Sequence, residues 1–178
     1  MIMKKLIVLF ILIVLYSCTK DEPVSKPSVF NGFGTANING KEYMFKPSMK
    51  YHESLGRYGI ILVYFENEIQ RAKIHFAKVS NENSLQTLHK YNDNIINTQC
   101  GFYTSILDGD VAGNYYFLNE KDSIEDYLLL TSFDMTTGEV KGEFQASFYV
   151  DTAKIFDHNF PDTIVITNGY FETTVLDE

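Results

Sequence analysis

Several side chains in this chain have types and spacings that could support chemistry. Asp108-Gly109-Asp110, followed by Asn114, offers oxygen ligands suited to Ca²⁺. It lacks the third alternating acidic residue and the distal glutamate of a dedicated calcium loop, so an acidic turn is the better reading. Glu120 with Asp122, and Glu125 with Asp126, are carboxylate pairs from which a glycosidase could draw an acid and a base or nucleophile. That chemistry requires the two groups to face each other across a cleft, and a charged loop between strands accounts for them without it. His52, His75, His89 and His158 lie far apart and show no metal-ligand spacing with one another, so they read as surface histidines. Cys100 reads as a small buried apolar group rather than a reactive thiol. Tyr149 and Tyr170 fall on the outward parity of their segments, where they could form a platform for a sugar ring or a partner. The chain has no Trp, which weakens the sugar reading. There is no G-x-S-x-G elbow, H-E-x-x-H helix, P-loop or metal-spaced cysteine pair, so the enzyme classes with local signatures are disfavoured and no cofactor is called for.

The N-terminus has a different character. Lys4 and Lys5 precede an unbroken apolar run from Leu6 to Tyr16, then Ser17-Cys18, and the chain turns polar at Thr19-Lys20-Asp21-Glu22. A charged start, a short apolar stretch and a small residue before the cut describe a secretion signal over residues 1–17. The apolar run is too short for a helix crossing a hydrocarbon core, which needs about 20 residues. Leu15-Tyr16-Ser17-Cys18 resembles the lipobox of bacterial lipoproteins, with Tyr16 bulkier than the residue usual there. The resemblance implies that the Cys18 sulfur takes a diacylglycerol and that the chain is cut before it. Two or three acyl chains would hold the protein to a membrane durably, since each buried CH₂ is worth about 0.8 kcal/mol. Lys20, Asp21 and Glu22 resemble the export tag that follows the lipidated cysteine in surface-displayed lipoproteins of Bacteroidota, with the periplasmic face of the outer membrane as the alternative location. Pro23, Ser25, Lys26, Pro27 and Ser28 continue as a flexible tether, so residues 18–30 read as the lipidated cysteine and linker.

What remains, residues 31–178, has the length of one ordinary domain able to bury its own core. The formal charge of −8 becomes two units more negative once Lys4 and Lys5 leave with the signal, and no Lys/Arg cluster interrupts it. Such a chain gains nothing from phosphate neutralisation, which argues against nucleic-acid partners and electrostatic adhesion to anionic lipid. The expected partners are the membrane, through the anchor, and an envelope protein or a glycan. If Cys18 carries lipid, Cys100 has no intrachain cysteine to pair with.

The elements that must position these residues are strands. Alternation with period two dominates, most clearly over Val140 to Val150, where Gly142, Phe144, Ala146, Phe148 and Val150 share one face and Glu143, Gln145, Ser147 and Tyr149 the other. Tyr127 to Met135 should pair with it antiparallel across Thr136-Thr137-Gly138, with the glycine left-handed. Asn39-Gly40 predicts a type I′ turn between Phe33 to Ile38 and Lys41 to Phe45. Arg57 to Glu66 reads as a central strand covered on both sides, and Arg71 to Lys78 as its hairpin partner. Gly101 to Leu107 and Asn114 to Leu118 flank the turn at Asp108-Gly109-Asp110. The inward parity changes across Asn168-Gly169, which predicts a bulge in one long strand in preference to a hairpin. Ser84 to Lys90 is read as a short helix with Ser84 as its cap. The sum is an all-β domain, an antiparallel β-sandwich or flattened barrel of about nine or ten strands with little helix.

Phe33-Gly34-Thr35-Ala36-Asn37-Ile38-Asn39-Gly40-Lys41, Gly142-Glu143-Phe144 and Ile166-Thr167-Asn168-Gly169-Tyr170-Phe171 together resemble small Bacteroidota cell-envelope lipoproteins of unknown function, with an N-G-K hairpin and G-x-F and I-T-x-G-x-F strands. The resemblance spans most of Phe33 to Val175 and implies the β fold and an envelope location, but no activity. The expectation is therefore a non-catalytic, lipid-anchored binding or accessory module of the outer membrane. A glycan-directed hydrolase with dispersed carboxylates and a small-ligand carrier are its rivals.

Overall fold

The computed structural model describes residues 29–92, 94–106, 111–121, 124–152 and 161–176. Ten strands follow in order: β1 (Phe33–Ile38), β2 (Lys41–His52), β3 (Arg57–Glu66), β4 (Ile69–Val79), β5 (Leu85–Thr87), β6 (Gln99–Ile106), β7 (Val111–Leu118), β8 (Tyr127–Phe133), β9 (Glu139–Val150) and β10 (Thr163–Leu176). The helical element among the described residues is one 3₁₀ turn, Glu53–Leu55. Eight strands close a ring of antiparallel pairs, β1-β2-β3-β4-β6-β7-β9-β10 and back to β1. The expected all-β fold is thus present in its barrel form.

Turn chemistry sets the register. Asn39 and Gly40 both adopt positive φ, 49° and 81°, as a type I′ turn requires. The β3–β4 hairpin is tighter than expected, because Asn67 and Glu68 turn it alone at φ 52° and 67°. At the β8–β9 hairpin, Asp134 Oδ1 accepts the N–H groups of Thr136 (2.7 Å) and Thr137 (3.3 Å), and Gly138 takes the left-handed position at φ 73°.

Two expectations need correction. Ser84 to Lys90 is not a helix: Leu85–Thr87 pairs with β8 as a strand. The cause is tertiary, because the Gln86 side chain imitates a strand neighbour by accepting from Ser80 N (2.9 Å) and donating to Ser80 O (3.1 Å). β3 is covered on both faces only in part. Ile60, Leu62 and Val63 are buried, while Ile61, Tyr64 and Phe65 are half-buried. Phe65 owes its cover to Phe30, whose ring meets it edge-on at 5.7 Å.

Inward positions are apolar and aromatic. Phe76 meets Phe144 at 5.3 Å, Phe102 meets Tyr116 at 5.4 Å and Phe148 at 5.9 Å. An eight-stranded barrel is just wide enough to be filled by such side chains. The outward positions Glu139, Lys141, Glu143 and Gln145 of β9 are polar.

The β9–β10 seam explains two short motifs. Gly142 lies opposite Phe171, and Gly169 lies opposite Phe144. Antiparallel pairing therefore sets one Gly-x-Phe against another, each ring lying over the partner's glycine. A Cβ on Gly142 would sit 2.6 Å from the Phe171 ring, and one on Gly169 would sit 2.6 Å from the Phe144 carbonyl oxygen. The parity that allows both contacts comes from the bulge between Ile166 and Gly169, where Asn168 has φ 51°. β10 runs on through it as one strand, as expected. Gly142→Ala should lose about 1–3 kcal/mol of stability through overpacking, read as the urea midpoint. Combined with Phe171→Leu, which frees room for the methyl, its added cost should shrink. Strict additivity of the two changes would show that the ring is not the cause.

Candidate functional site

On the outside of the barrel, strand registers bring together aromatic residues that are distant in sequence. One cross-strand row runs His75, Gly101, Phe117, Tyr149 over β4, β6, β7 and β9, and the next runs Lys73, Tyr103, Tyr115. Tyr103 and Tyr115 meet edge to face at 5.3 Å, and Phe117 and Tyr149 at 6.1 Å. Gly101 leaves a gap in the first row, and Tyr91 fills it from the loop before β6. A Cβ at Gly101 would lie 2.6 Å from the Tyr91 ring.

That ring is held firmly. Its hydroxyl lies 2.7 Å from His75 Nδ1 and donates to the His75 carbonyl oxygen at 3.1 Å, and it also bonds to the Tyr103 hydroxyl. The loop that carries it is pinned by Lys78 Nζ, which donates to Ile95 O at 2.7 Å and to Asn92 O at 3.3 Å. Burial first, and then Lys73 and His52, push His75 down to about 4. Burial first, and then Tyr103, push the Tyr91 phenol up. These shifts favour a neutral His75 and a protonated Tyr91, whose contact holds the ring in place. Tyr91, Tyr103, Tyr115, Tyr116, Phe117 and Asp151 line a cleft of about 270 Å³. Lysine ammonium groups stand over two of the rings, Lys73 5.2 Å above Tyr103 and Lys90 4.8 Å above Tyr149.

Of the residues expected from sequence, Tyr149 belongs to this face and its hydroxyl accepts from Lys90 Nζ at 2.8 Å. Tyr170 does not. It lies against Phe33 at 5.8 Å, donates to Glu172 and pairs opposite Glu143, six residues along β9 from Tyr149, about 20 Å at strand spacing. Tyr91, Tyr103, Tyr115 and Phe117 were not singled out. For Tyr103, Tyr115 and Phe117 the signal was the odd-numbered aromatic positions of β6 and β7, which become neighbours only once the register is known, and Tyr91 joins them from the loop before β6.

Glu120, Glu125 and Asp126 do share the rim of a second cleft, about 480 Å³, with His89 beside them. Two of these carboxylates hold the loop that presents them. Asp126 Oδ1 accepts from Ser147 N at 2.8 Å, and Glu120 Oε1 accepts from Lys90 N at 3.1 Å while lying 3.7 Å from His89 Nδ1. Asn119 N donates to Ser147 O at 2.8 Å, so both ends of the excursion clasp one residue of β9. Asn114 is no surface calcium ligand. It is buried inside the barrel, its N–H donating to Thr104 Oγ1 at 2.7 Å. His75 is not a free surface histidine either, whereas His52 is exposed. Cys100 is buried, and burial drives its thiol pKa well up, which suits a packing role. Among the described residues no three His, Cys, Asp or Glu side chains gather closely enough to hold a metal ion. Cys18, Lys20, Asp21, Glu22, Asp108, Asp110, Asp122 and His158 lie outside the described residues.

No family model, curated protein or solved structure matches the chain.

His75 gives this face a pH signature. A histidine whose folded pKa is lowered to about 4 resists the proton that the unfolded chain takes up near 6.5. Stability contributed by its neutral form is fully present above pH 6.5 and declines as pH falls toward 4. The loss should be on the order of 1–3 kcal/mol, and His75→Gln should flatten that part of the profile in urea unfolding at pH 7 and pH 4.5. An unchanged slope in the variant would contradict the assignment.

Proposed function

We propose that this chain is a lipid-anchored envelope protein whose barrel is a non-catalytic binding or accessory module working through its tyrosine face. The observation that carries the anchor is the order Lys4-Lys5, Leu6 to Tyr16, Ser17-Cys18, followed at once by polar sequence. The resemblance to Bacteroidota lipoproteins supports an outer-membrane location, and Lys20-Asp21-Glu22 favours the cell surface over the periplasmic face. Among the described residues no helix is long and apolar enough to cross a membrane. The polar outward positions Glu139, Lys141, Glu143 and Gln145 of β9 are compatible with a domain held beside a bilayer by its anchor. Residues 18–28 can span at most about 40 Å when fully extended, enough for the barrel to turn any of its sides away from the membrane.

The binding half of the reading is supported by a contiguous row of rings on a face where single polar residues would suffice. Phe117 and Tyr149 are each 38% exposed and Tyr91 37%. Apolar patches rimmed by charge mark interaction sites more often than chance.

Cys18→Ser tests the anchor. The parent should fractionate with membranes and take up a palmitate analogue, and on intact cells it should be open to added protease. The variant should carry no label and lose its stable membrane attachment. A variant that labels and fractionates like the parent would overturn the proposal.

A further inference from the structure

We infer that the cleft walled by Tyr91, Tyr103, Tyr115 and Phe117 binds a neutral pyranose unit of a glycan. The inference rests on the binding reading above and adds the class of ligand. Four features of the cleft point to it.

The wall is aromatic and hydroxylated, with Tyr103 and Tyr115 set edge to face. Three of those four rings are tyrosines, each offering an apolar face and, at its edge, a group that both donates and accepts. A sugar ring presents the complement, with C–H groups on its faces and hydroxyls around its rim.

Charge then narrows the class. The ammonium groups of Lys73 and Lys90 already stand over the rings of Tyr103 and Tyr149, so a cation would meet like charge where ring faces would otherwise attract it. An anion would approach a chain of net charge −8, and the two ammonium groups of the face are already engaged with its rings. A neutral ligand meets neither obstacle.

The shape excludes an added strand. The cleft lies on the face of the sheet over β6 and β7, and both strands are hydrogen-bonded on each side, β6 to β4 and β7, and β7 to β6 and β9. At the wall residues themselves the backbone is engaged on both sides: Tyr103 pairs with Lys73 and Tyr115, Phe117 with Gly101 and Tyr149, and Tyr115 O accepts from Asp151 N at 2.7 Å, which leaves a peptide no free backbone to pair with at those residues. A volume of about 270 Å³ equals the space of about nine waters, the scale of one or two sugar rings.

The site is also preorganised. Gly101 makes room for the Tyr91 ring, His75 and Tyr103 hold its hydroxyl, and Lys78 pins its loop. A ligand would find the wall already ordered, which lowers the entropy cost of binding.

The test uses the full chain in detergent micelles, run by affinity electrophoresis through gels containing dextran, mannan or xylan, with polygalacturonate as the anionic arm. Tyrosine emission gives a second readout, undisturbed by Trp because the chain has none. At least one neutral polysaccharide should retard the parent. Tyr115→Ala should weaken that binding about tenfold, in keeping with the loss of one stacking partner. Tyr170→Ala, on a distant part of the barrel, should bind like the parent. Thermal melting checks that each variant is folded, and Phe117→Ala, at an exposed position, replaces Tyr115→Ala if the latter is not. Retardation by polygalacturonate alone, or equal binding by parent and Tyr115→Ala, overturns the inference. If every polysaccharide is blank while crosslinking on envelopes captures another molecule through this face and Tyr115→Ala abolishes the capture, the sugar assignment falls and the binding reading stands. If both are blank, both fall.

Discussion

The structure depends on the seam between β9 and β10, where two Gly-x-Phe segments interlock. Gly142 accepts the ring of Phe171 and Gly169 that of Phe144, so neither strand can slide without driving a ring into backbone. A slip of one residue would turn every inward side chain of β9 outward. Much hangs on that strand. Its second edge is divided, with Phe148–Val150 taken by β7 and Val140–Gln145 by β8. β10 in turn pairs with β1 between Ile166 and Glu172 and meets β2 at Val175 and Leu176. The bulge at Asn168 is what lets one continuous strand satisfy all of these partners.

The same device recurs on the outer surface. Gly101 accepts the ring of Tyr91 as Gly142 accepts that of Phe171, but the ring comes from a loop and the contact faces solvent. Inside, a glycine under a ring locks register. Outside, it creates a wall of aromatic side chains whose members arise from β6, β7, β9 and the loop before β6. The face is therefore a product of the barrel's closure, since β7 and β9 must pair at Phe117 and Tyr149 for the row to be continuous.

Much of the barrel was legible because local chemistry dictates it. Alternation over Val140 to Val150, positive-φ residues at Asn39-Gly40 and the parity change at Asn168-Gly169 each act over a few residues, and each is found as expected. β5 was not legible, because the partners that hold it extended, β8 and the Ser80 backbone that meets the Gln86 side chain, lie outside the segment. Asn114 opens a strand as expected, and its parity on β7, which turns it inward to Thr104, removes it from the calcium alternative. The tyrosine face was legible only at Tyr149. Which outward residues become neighbours depends on the register of β4, β6, β7 and β9, and that register is set by contacts remote along the chain.

A barrel with charged outward positions and an aromatic wall has a use at a membrane only if something holds it there, and Cys18 is the residue assigned to do so. The most direct measurement is the mass of the N-terminal tryptic peptide of the chain isolated from membranes of its native host. The account predicts that the chain begins at Cys18 and that the peptide Cys18-Thr19-Lys20 carries a diacylglyceryl thioether and an acylated amino group. A chain that retains residues 1–17, or an unmodified Cys18 thiol, would contradict it.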